Sequence, residues 1–548
     1  MGGIRLKVTV VTLALVGLFG RGNAHVPDGG SAGAVDGWPA SEVTSALHML
    51  LAAADEGLEP SEYDLGNLTR LAEALSRGAG TAAEKDEFER RLTAAVALYV
   101  RHVHRGRVDP RQLGFRLTIP DDRHDFERLV AESARTGGIA GLVRAYRPPG
   151  WQYPALLAAL RHYRSLRELP PLVTSRRAVR VGDPYEGLGG LFDRLALYGD
   201  MPASTPRPEL VYRPVDAAAV RRFQERHGLQ ADGVLGPATF AALQVPLSWR
   251  IRQIELALER LRWLPHQARS RLVVLNIPMF ELGAWDRGRG DQAPSFRTGV
   301  IVGRAMGMAT PVMAQEIREI VFRPYWNIPR SILLNEVLTA LAKDPGYLGK
   351  HAMEIVAGDR DDSPAVPLSA DALTRLRRGE LRLRQRPGPQ NALGLVKFVF
   401  PNEDQVYMHD TPAQSLFSRA RRDFSHGCVR IEDPVGLAEW LLAGQADWSR
   451  TRVIAAMNGS RTMRVALASP AEIWLLYLTA VVMPDGTLRF ADDIYGHDRR
   501  LDQALAARRT ARQSPGAHAS DVDVHEVRSR IESDAAPSQG ERRLPQLL

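Results

Sequence analysis

The sequence predicts an α+β chain of several domains, helical in its first half and β-rich in its second. Apolar residues between Trp38 and about Leu117 recur at helical spacing, and from Arg271 short runs of β-branched and aromatic residues appear between Gly, Pro and Asn. A length of 548 residues exceeds one domain at roughly 150 residues each. With 45% hydrophobic and 24% charged residues the chain can build sizeable cores, which excludes wholesale disorder as well as collagen-like and coiled-coil classes. The formal charge of +8 raises a polyanion partner, but the basic residues are mostly scattered arginines with no run interleaved with aromatics, so no nucleic acid is expected.

The N-terminus is the first decisive segment. Arg5 and Lys7 precede an apolar stretch from Val8 to Gly20, with the small residues Gly22 and Ala24 close behind. This resembles a secretory signal over residues 1–24. At about 13 apolar residues the stretch is short for a bilayer span of about 20, so membrane anchoring enters only if it is uncleaved. An exported chain with Cys428 as its one cysteine can form no internal disulfide. That thiol is either buried and inert or used for its reactivity.

The elements follow in order. Leu65, Leu68, Leu71 and Leu75, then Phe88, Leu92, Val96, Tyr99 and Val103, mark helices of a scaffold taken as 38–201. In 210–247, Val220, Phe223 and His227 share a helical face. Gly228 stops that helix, Asp232-Gly233 turns, and Gly236-Pro237 opens the next. The phenylalanine-glutamine, aspartate-glycine and glycine-proline-threonine points resemble a peptidoglycan-binding-like module, a small three-helix bundle; a plain helical spacer is the other reading.

A β-rich domain is expected over 271–498, with strands at Arg271–Ile277, Gly299–Gly303, Leu395–Phe400 and Gln405–Met408. A helical insertion at about 331–383 could cover a site as a flap, and Ile473–Ile494 reads as a hairpin turning at Asp485-Gly486 and returning to the sheet. The tail, 510–548, is rich in Ser, Asp, Arg, Gly and Pro and is expected to be disordered. Trp326, Tyr325 and Trp440 read as core aromatics rather than sugar platforms.

Reactive side chains gather in one stretch, Tyr407-Met408-His409-Asp410-Thr411-Pro412 followed by Ser425-His426-Gly427-Cys428-Val429-Arg430. A thiol with a free pKa of about 8.5 needs a base to become a nucleophile near neutral pH. His409 stands nineteen residues before Cys428, far enough to be presented by a neighbouring strand, and is the better base candidate. His426 lies on a glycine-containing turn, where its ring can instead line the pocket. Gly427 lets the backbone approach closely and aim amides at an oxyanion.

The SHGCVR segment with its upstream YMHDTP resembles the active-site motif of the YkuD-type L,D-transpeptidases. Arg323-Pro324-Tyr325-Trp326-Asn327-Ile328-Pro329, Arg384-Gln385-Arg386-Pro387-Gly388-Pro389 and Asn391-Ala392-Leu393-Gly394 are similar to points of the large YcbB-like branch. The resemblance runs from about Trp38 to Asp498, and Arg430 stands where short-form relatives carry asparagine.

The resemblance implies cross-linking of peptidoglycan stem peptides, a tetrapeptide donor and a diaminopimelate acceptor, with no cofactor, in a periplasm. By matching positions it implies Cys428 as nucleophile and His409 as general base. Gly427 and the Cys428 amide would form the oxyanion hole with help from Tyr407, while His426 and Arg430 would shape the donor pocket. The insertion resembles the family's capping subdomain. Water as acceptor would make the chain an L,D-carboxypeptidase, and a lipoprotein lysine is a further acceptor. Outside the class stand a zinc site built from the two histidines, Asp410 and Cys428, and a wall-binding scaffold with an inert thiol.

Overall fold

The computed structural model describes residues 37–513 apart from 78–79, 118–122, 203, 266–270, 287–291 and 306. The expected signal at 1–24 and almost all of the expected tail at 510–548 lie outside the described residues. Among the described residues no helix is long and apolar enough to cross a membrane.

The first half is helical. The helix Ala82–Arg105 starts at a capping box in which Thr81 and Glu84 satisfy each other's backbone amides, and it buries Phe88, Leu92, Val96, Tyr99 and Val103 against the helices Ala40–Leu51 and Leu65–Ser76. A second core gathers Leu188, Leu191 and Leu195 with Val220, Phe223, Phe240 and Leu243. Its three helices are Leu188–Leu197, Pro214–Arg226 and Pro237–Leu243, so the bundle draws its first helix from upstream of position 210. Gly233 takes a φ of +74°, and a Cβ there would meet the Ala217 carbonyl and the Arg221 side chain.

The second half is built on nine strands: β1 (Arg271–Asn276), β2 (Glu281–Asp286), β3 (Phe296–Gly303), β4 (Met313–Phe322), β9 (Val396–Val399), β10 (Met408–His409), β11 (Asp423–Ser425), β12 (Val429–Ile431) and β13 (Met463–Leu476). Four further strands, numbered in chain order, belong to the insertion between β4 and β9. The sheet order is β11-β3-β12-β10-β9-β4-β13-β1-β2, and a further β2–β3 pairing closes it into a barrel. One core fills it, including Val300, Val302, Ile320, Phe322, Phe398, Met408, Val429 and Ile431.

The insertion is mixed rather than helical. It contains β5 (Trp326–Asn327), β6 (Met353–Val356), β7 (Ala365–Val366) and β8 (Arg382–Gln385) in the order β5-β8-β6-β7, with the helix Ala370–Arg378 and a π-helical turn at Leu333–Val337. Ile328, Leu333, Val337, Ile355, Leu376 and Leu383 form its own core. The expected hairpin also differs. The turn falls at Asp485-Gly486, but its strands, β14 (Ala480–Val482) and β15 (Leu488–Phe490), pair only with each other. Rather than returning to the barrel they receive the small bundle, where His227 stacks between Phe223 and Phe490.

Buried ion pairs fix the parts together. Fully buried Glu259 accepts from the Val108 amide at 3.1 Å and from Arg262 at 3.1 Å, and Arg262 reaches Tyr153 at 2.9 Å. Arg260 pairs with Asp498 at the start of the C-terminal helix His497–Gln513. Breaking one partner of such a pair costs about 3–5 kcal/mol, so the barrel sits on a rigid frame.

Candidate active site

The site is a consequence of strand register. β10 runs parallel to β12 with Met408 opposite Val429 and His409 opposite Arg430, and antiparallel to β9 with His409 opposite Lys397. Side chains alternate along a strand. Met408, Val429 and Phe398 enter the barrel core at 0% exposure, so Lys397, Tyr407, His409, Cys428 and Arg430 share the opposite face. The expected strand at Gln405–Met408 is shifted, because Asn402 bonds the Phe400 and Val406 carbonyls and closes a tight turn, leaving Gln405 at a φ of +54°. His409 therefore lies within the strand, which fixes its ring.

The thiol loop is held from three sides. Gly427 has a φ of +115°, its amide donates to Ser425 Oγ at 3.2 Å, and its carbonyl accepts from Thr310 Oγ1 at 2.7 Å. Thr310 Oγ1 in turn accepts from the Gly303 amide at 2.9 Å. The Gly427 amide is thus already bonded, so the glycine contributes conformation and the expected oxyanion donor is the Cys428 amide. Half-buried Cys428 points its Sγ toward the Gln405 carbonyl at 4.0 Å.

Electrostatics divide the site into a neutral base and two cations. His409 is buried and its Nδ1 lies 2.5 Å from the Asp410 carbonyl, the geometry of an Nδ1–H donor with Nε2 left as acceptor. Burial, then the charges of Arg430 and Lys397, push its pKa down to about 3. Burial raises the Cys428 thiol, opposed by hydrogen bonding to Tyr407 and by the charges of Lys397 and Arg430. The Lys397 ammonium sits 3.6 Å from the Tyr407 ring centroid. Arg430 Nε is buried with no hydrogen-bond partner among the described residues.

The expected site residues separate into two groups. Tyr407, His409, Cys428 and Arg430 come together on one face, whereas exposed His426 turns toward the insertion and its Nε2 lies 2.8 Å from Glu336 Oε1. Asp410 is not available as a ligand beside the thiol, because its carboxylate accepts from the Leu395 and Thr411 amides at 2.8 and 2.7 Å. Among the described residues no three His, Cys, Asp or Glu side chains gather as a metal site.

Comparison with known proteins matches 270–454 to the L,D-transpeptidase catalytic domain, YkuD. Residues 270–454 form an L,D-transpeptidase catalytic domain. Beside it, 35–160 match a family described as "Scaffold domain" and 193–243 one described as "Putative peptidoglycan binding domain". A Haemophilus influenzae protein named "Putative L,D-transpeptidase" is 32% identical over 253 residues, 46% of this chain and 49% of its own length. The chain thus spans about half the length of the curated relative it matches. A crystal structure of the L,D-transpeptidase (residues 123-326) from Xylanimonas cellulosilytica aligns over 56% of this chain and 100% of that one, at 15% identity and a TM-score of 0.17, too low to carry an argument.

Sequence reasoning missed four residues around this site: Lys397, Thr310, Gln405 and Glu336. Only Lys397 left a signal, as a lone ammonium inside the apolar run Leu395–Phe400. Trp326, read as a core aromatic, is half-buried on the first cap strand. Conversely, Asn391 and Gln385 from the resembling motifs are structural. Asn391 Nδ2 ties the Pro324 and Arg386 carbonyls at 3.1 and 3.0 Å, and Gln385 Oε1 accepts from the Ala392 amide at 2.8 Å.

Proposed function

We propose that the chain is a peptidoglycan L,D-transpeptidase that cross-links stem peptides through an acyl-enzyme on Cys428. One observation carries the reading: parallel pairing of β10 with β12 sets Tyr407, His409, Cys428 and Arg430 on one solvent-side face beneath a capping insertion. Cys428 Sγ attacks the carbonyl on the L-centre side of diaminopimelate in a tetrapeptide, and neutral His409 accepts the thiol proton. The carbonyl oxygen becomes an oxyanion facing the Cys428 amide and Tyr407. As it collapses the C–N bond breaks, His409 returns the proton, and D-alanine leaves with its amine intact.

A side-chain amine of a second diaminopimelate then attacks the thioester, forming the new amide and releasing the thiol. Cationic Arg430 and Lys397 suit the carboxylates of such peptides. The cap contact from Glu336 to His426 covers the loop and supports transfer to an amine over hydrolysis by water. The match of 193–243 to a putative peptidoglycan binding domain supports a location at the wall, outside the cytoplasm.

Incubating the protein with tetrapeptide stems and reading products by mass spectrometry tests this. A cross-linked dimer lacking one D-alanine is expected, and a free tripeptide instead would make the chain an L,D-carboxypeptidase. Cys428→Ala abolishes both products; turnover remaining in that variant removes the thiol from the mechanism. His409→Ala is severely impaired, while His426→Ala retains some acylation.

A further inference from the structure

We propose that Lys397 is the cation that favours ionisation of Cys428 as His409 takes its proton, a positioning residue acting across the face shared by β9, β10 and β12. The proposal rests on the transpeptidase reading for the thiol's purpose. Its physical basis is separate. A lysine between Val396 and Phe398, both 0% exposed, places an ammonium beside a barrel core, where an unpaired charge is costly. Among the described residues no carboxylate makes a salt bridge to it. The acids whose charges reach it, Glu319 and Asp361, are themselves bonded to Arg464 at 3.0 and 3.6 Å. What the ammonium meets instead is the face of Tyr407 at 3.6 Å, and the Val429 amide donates to the Tyr407 carbonyl at 3.0 Å, which sets Tyr407 beside Cys428 in the parallel pair.

His409 cannot fill this role in the resting state. Its ring is buried between the charges of Arg430 and Lys397 and stays neutral. The positive field on the sulfur therefore comes from Lys397 and Arg430, and Arg430 is itself opposed by Arg304. The remaining ionisable pair on the thiol loop, His426 with Glu336, faces the cap. A neutral base and a remote ammonium divide between them the work a single imidazolium would otherwise do.

Alkylation reads this directly, because Cys428 is the chain's one cysteine. The rate of iodoacetamide reaction is followed against pH in the wild type, Lys397→Met and Lys397→Arg. Removing the charge is expected to raise the midpoint by about one pH unit and slow alkylation about tenfold at pH 7, while Lys397→Arg stays within about twofold of wild type. A folded Lys397→Met with an unchanged profile overturns the proposal, whereas the transpeptidase reading stands or falls on the products of the wild type. Should Lys397→Met not fold, the wild type serves. Its five lysines, ¹³C-labelled, are titrated by NMR before and after carbamidomethylation of Cys428. Loss of the thiolate must lower the pH at which Lys397 titrates, and an unmoved resonance equally overturns the proposal.

Discussion

His426 Nε2 lies 2.8 Å from Glu336 Oε1, across ninety positions of sequence, and this contact fastens the capping insertion to the loop that carries Cys428. Glu336 sits in the π-helical turn Leu333–Val337, an irregularity often found at functional sites. A half-exposed pair of this kind adds only about 0.2–1 kcal/mol to folding. Its consequence lies in closure, since the cap has its own core and this contact joins it to the thiol loop.

Glu336→Gln should therefore leave the melting temperature nearly unchanged and alter the fate of the acyl-enzyme. Tripeptide, the hydrolysis product, is expected to rise at least severalfold relative to cross-linked dimer in the mass-spectrometric assay. An unaltered product ratio would mean that the contact does not govern access of water.

Thr310 ties two backbones with one hydroxyl, donating to the Gly427 carbonyl and accepting from the Gly303 amide. Thr310→Val keeps the shape and removes both bonds, leaving buried backbone groups unsatisfied at a cost of about 1–3 kcal/mol. We expect a lower denaturation midpoint and, because the tie sets the thiol loop, a fall in kcat of about tenfold or more with little change in KM. A stability loss with unchanged kcat would show that the loop holds its geometry without Thr310.

Much of the site was legible because its chemistry is local: Tyr407, His409, Cys428 and Arg430 lie in one short stretch of sequence, on or next to β10 and β12. Lys397 and Thr310 reach the site through register and long-range closure, 31 and 118 positions from the cysteine, and no periodicity reports such pairings. Strand β4 escaped for another reason. Its sequence, MAQEIREIVF, is rich in helix formers, and pairing with β13 on one side and β9 on the other overrides that preference. The cap sheet escaped because its strands are only two to four residues long, too short for an alternating pattern to register.

Acid should destabilise the fold through buried imidazoles. His409 and His497 are both pushed down to about 3 by burial, and His227 well below its ordinary value for the same reason. Unfolded, each takes up a proton near pH 6.5. The folded state binds fewer protons, so stability is full above about pH 6.5 and is lost as pH falls toward 3, at up to about 1.4 kcal/mol per pH unit for each histidine. His497 is ringed by Phe115 and Tyr477 at centroid distances of 4.9 and 4.6 Å. His497→Phe should flatten the slope of urea-unfolding free energy between pH 6 and pH 4 by about one histidine's share. An unchanged slope would place the acid sensitivity in other groups.

Gly427→Ala separates backbone strain from steric exclusion at the thiol. Among the described residues a Cβ at this position would meet only the Met308 carbonyl, at 3.7 Å, while a φ of +115° is one that side-chain-bearing residues rarely adopt. The substitution should cost about 1–3 kcal/mol of strain, which the loop can relieve only by rotating the peptide that presents the Cys428 amide. Misaligning that amide removes an interaction made to the developing oxyanion, so kcat should drop by about tenfold or more with KM little affected. Alkylation of Cys428 by iodoacetamide, which needs no oxyanion donor, should be much less affected. Parallel losses in turnover and alkylation would instead mean that the alanine had displaced the sulfur itself. Because Thr310 and Gly427 act on the same peptide segment, the Thr310→Val/Gly427→Ala double variant should lose less than the two single losses combined.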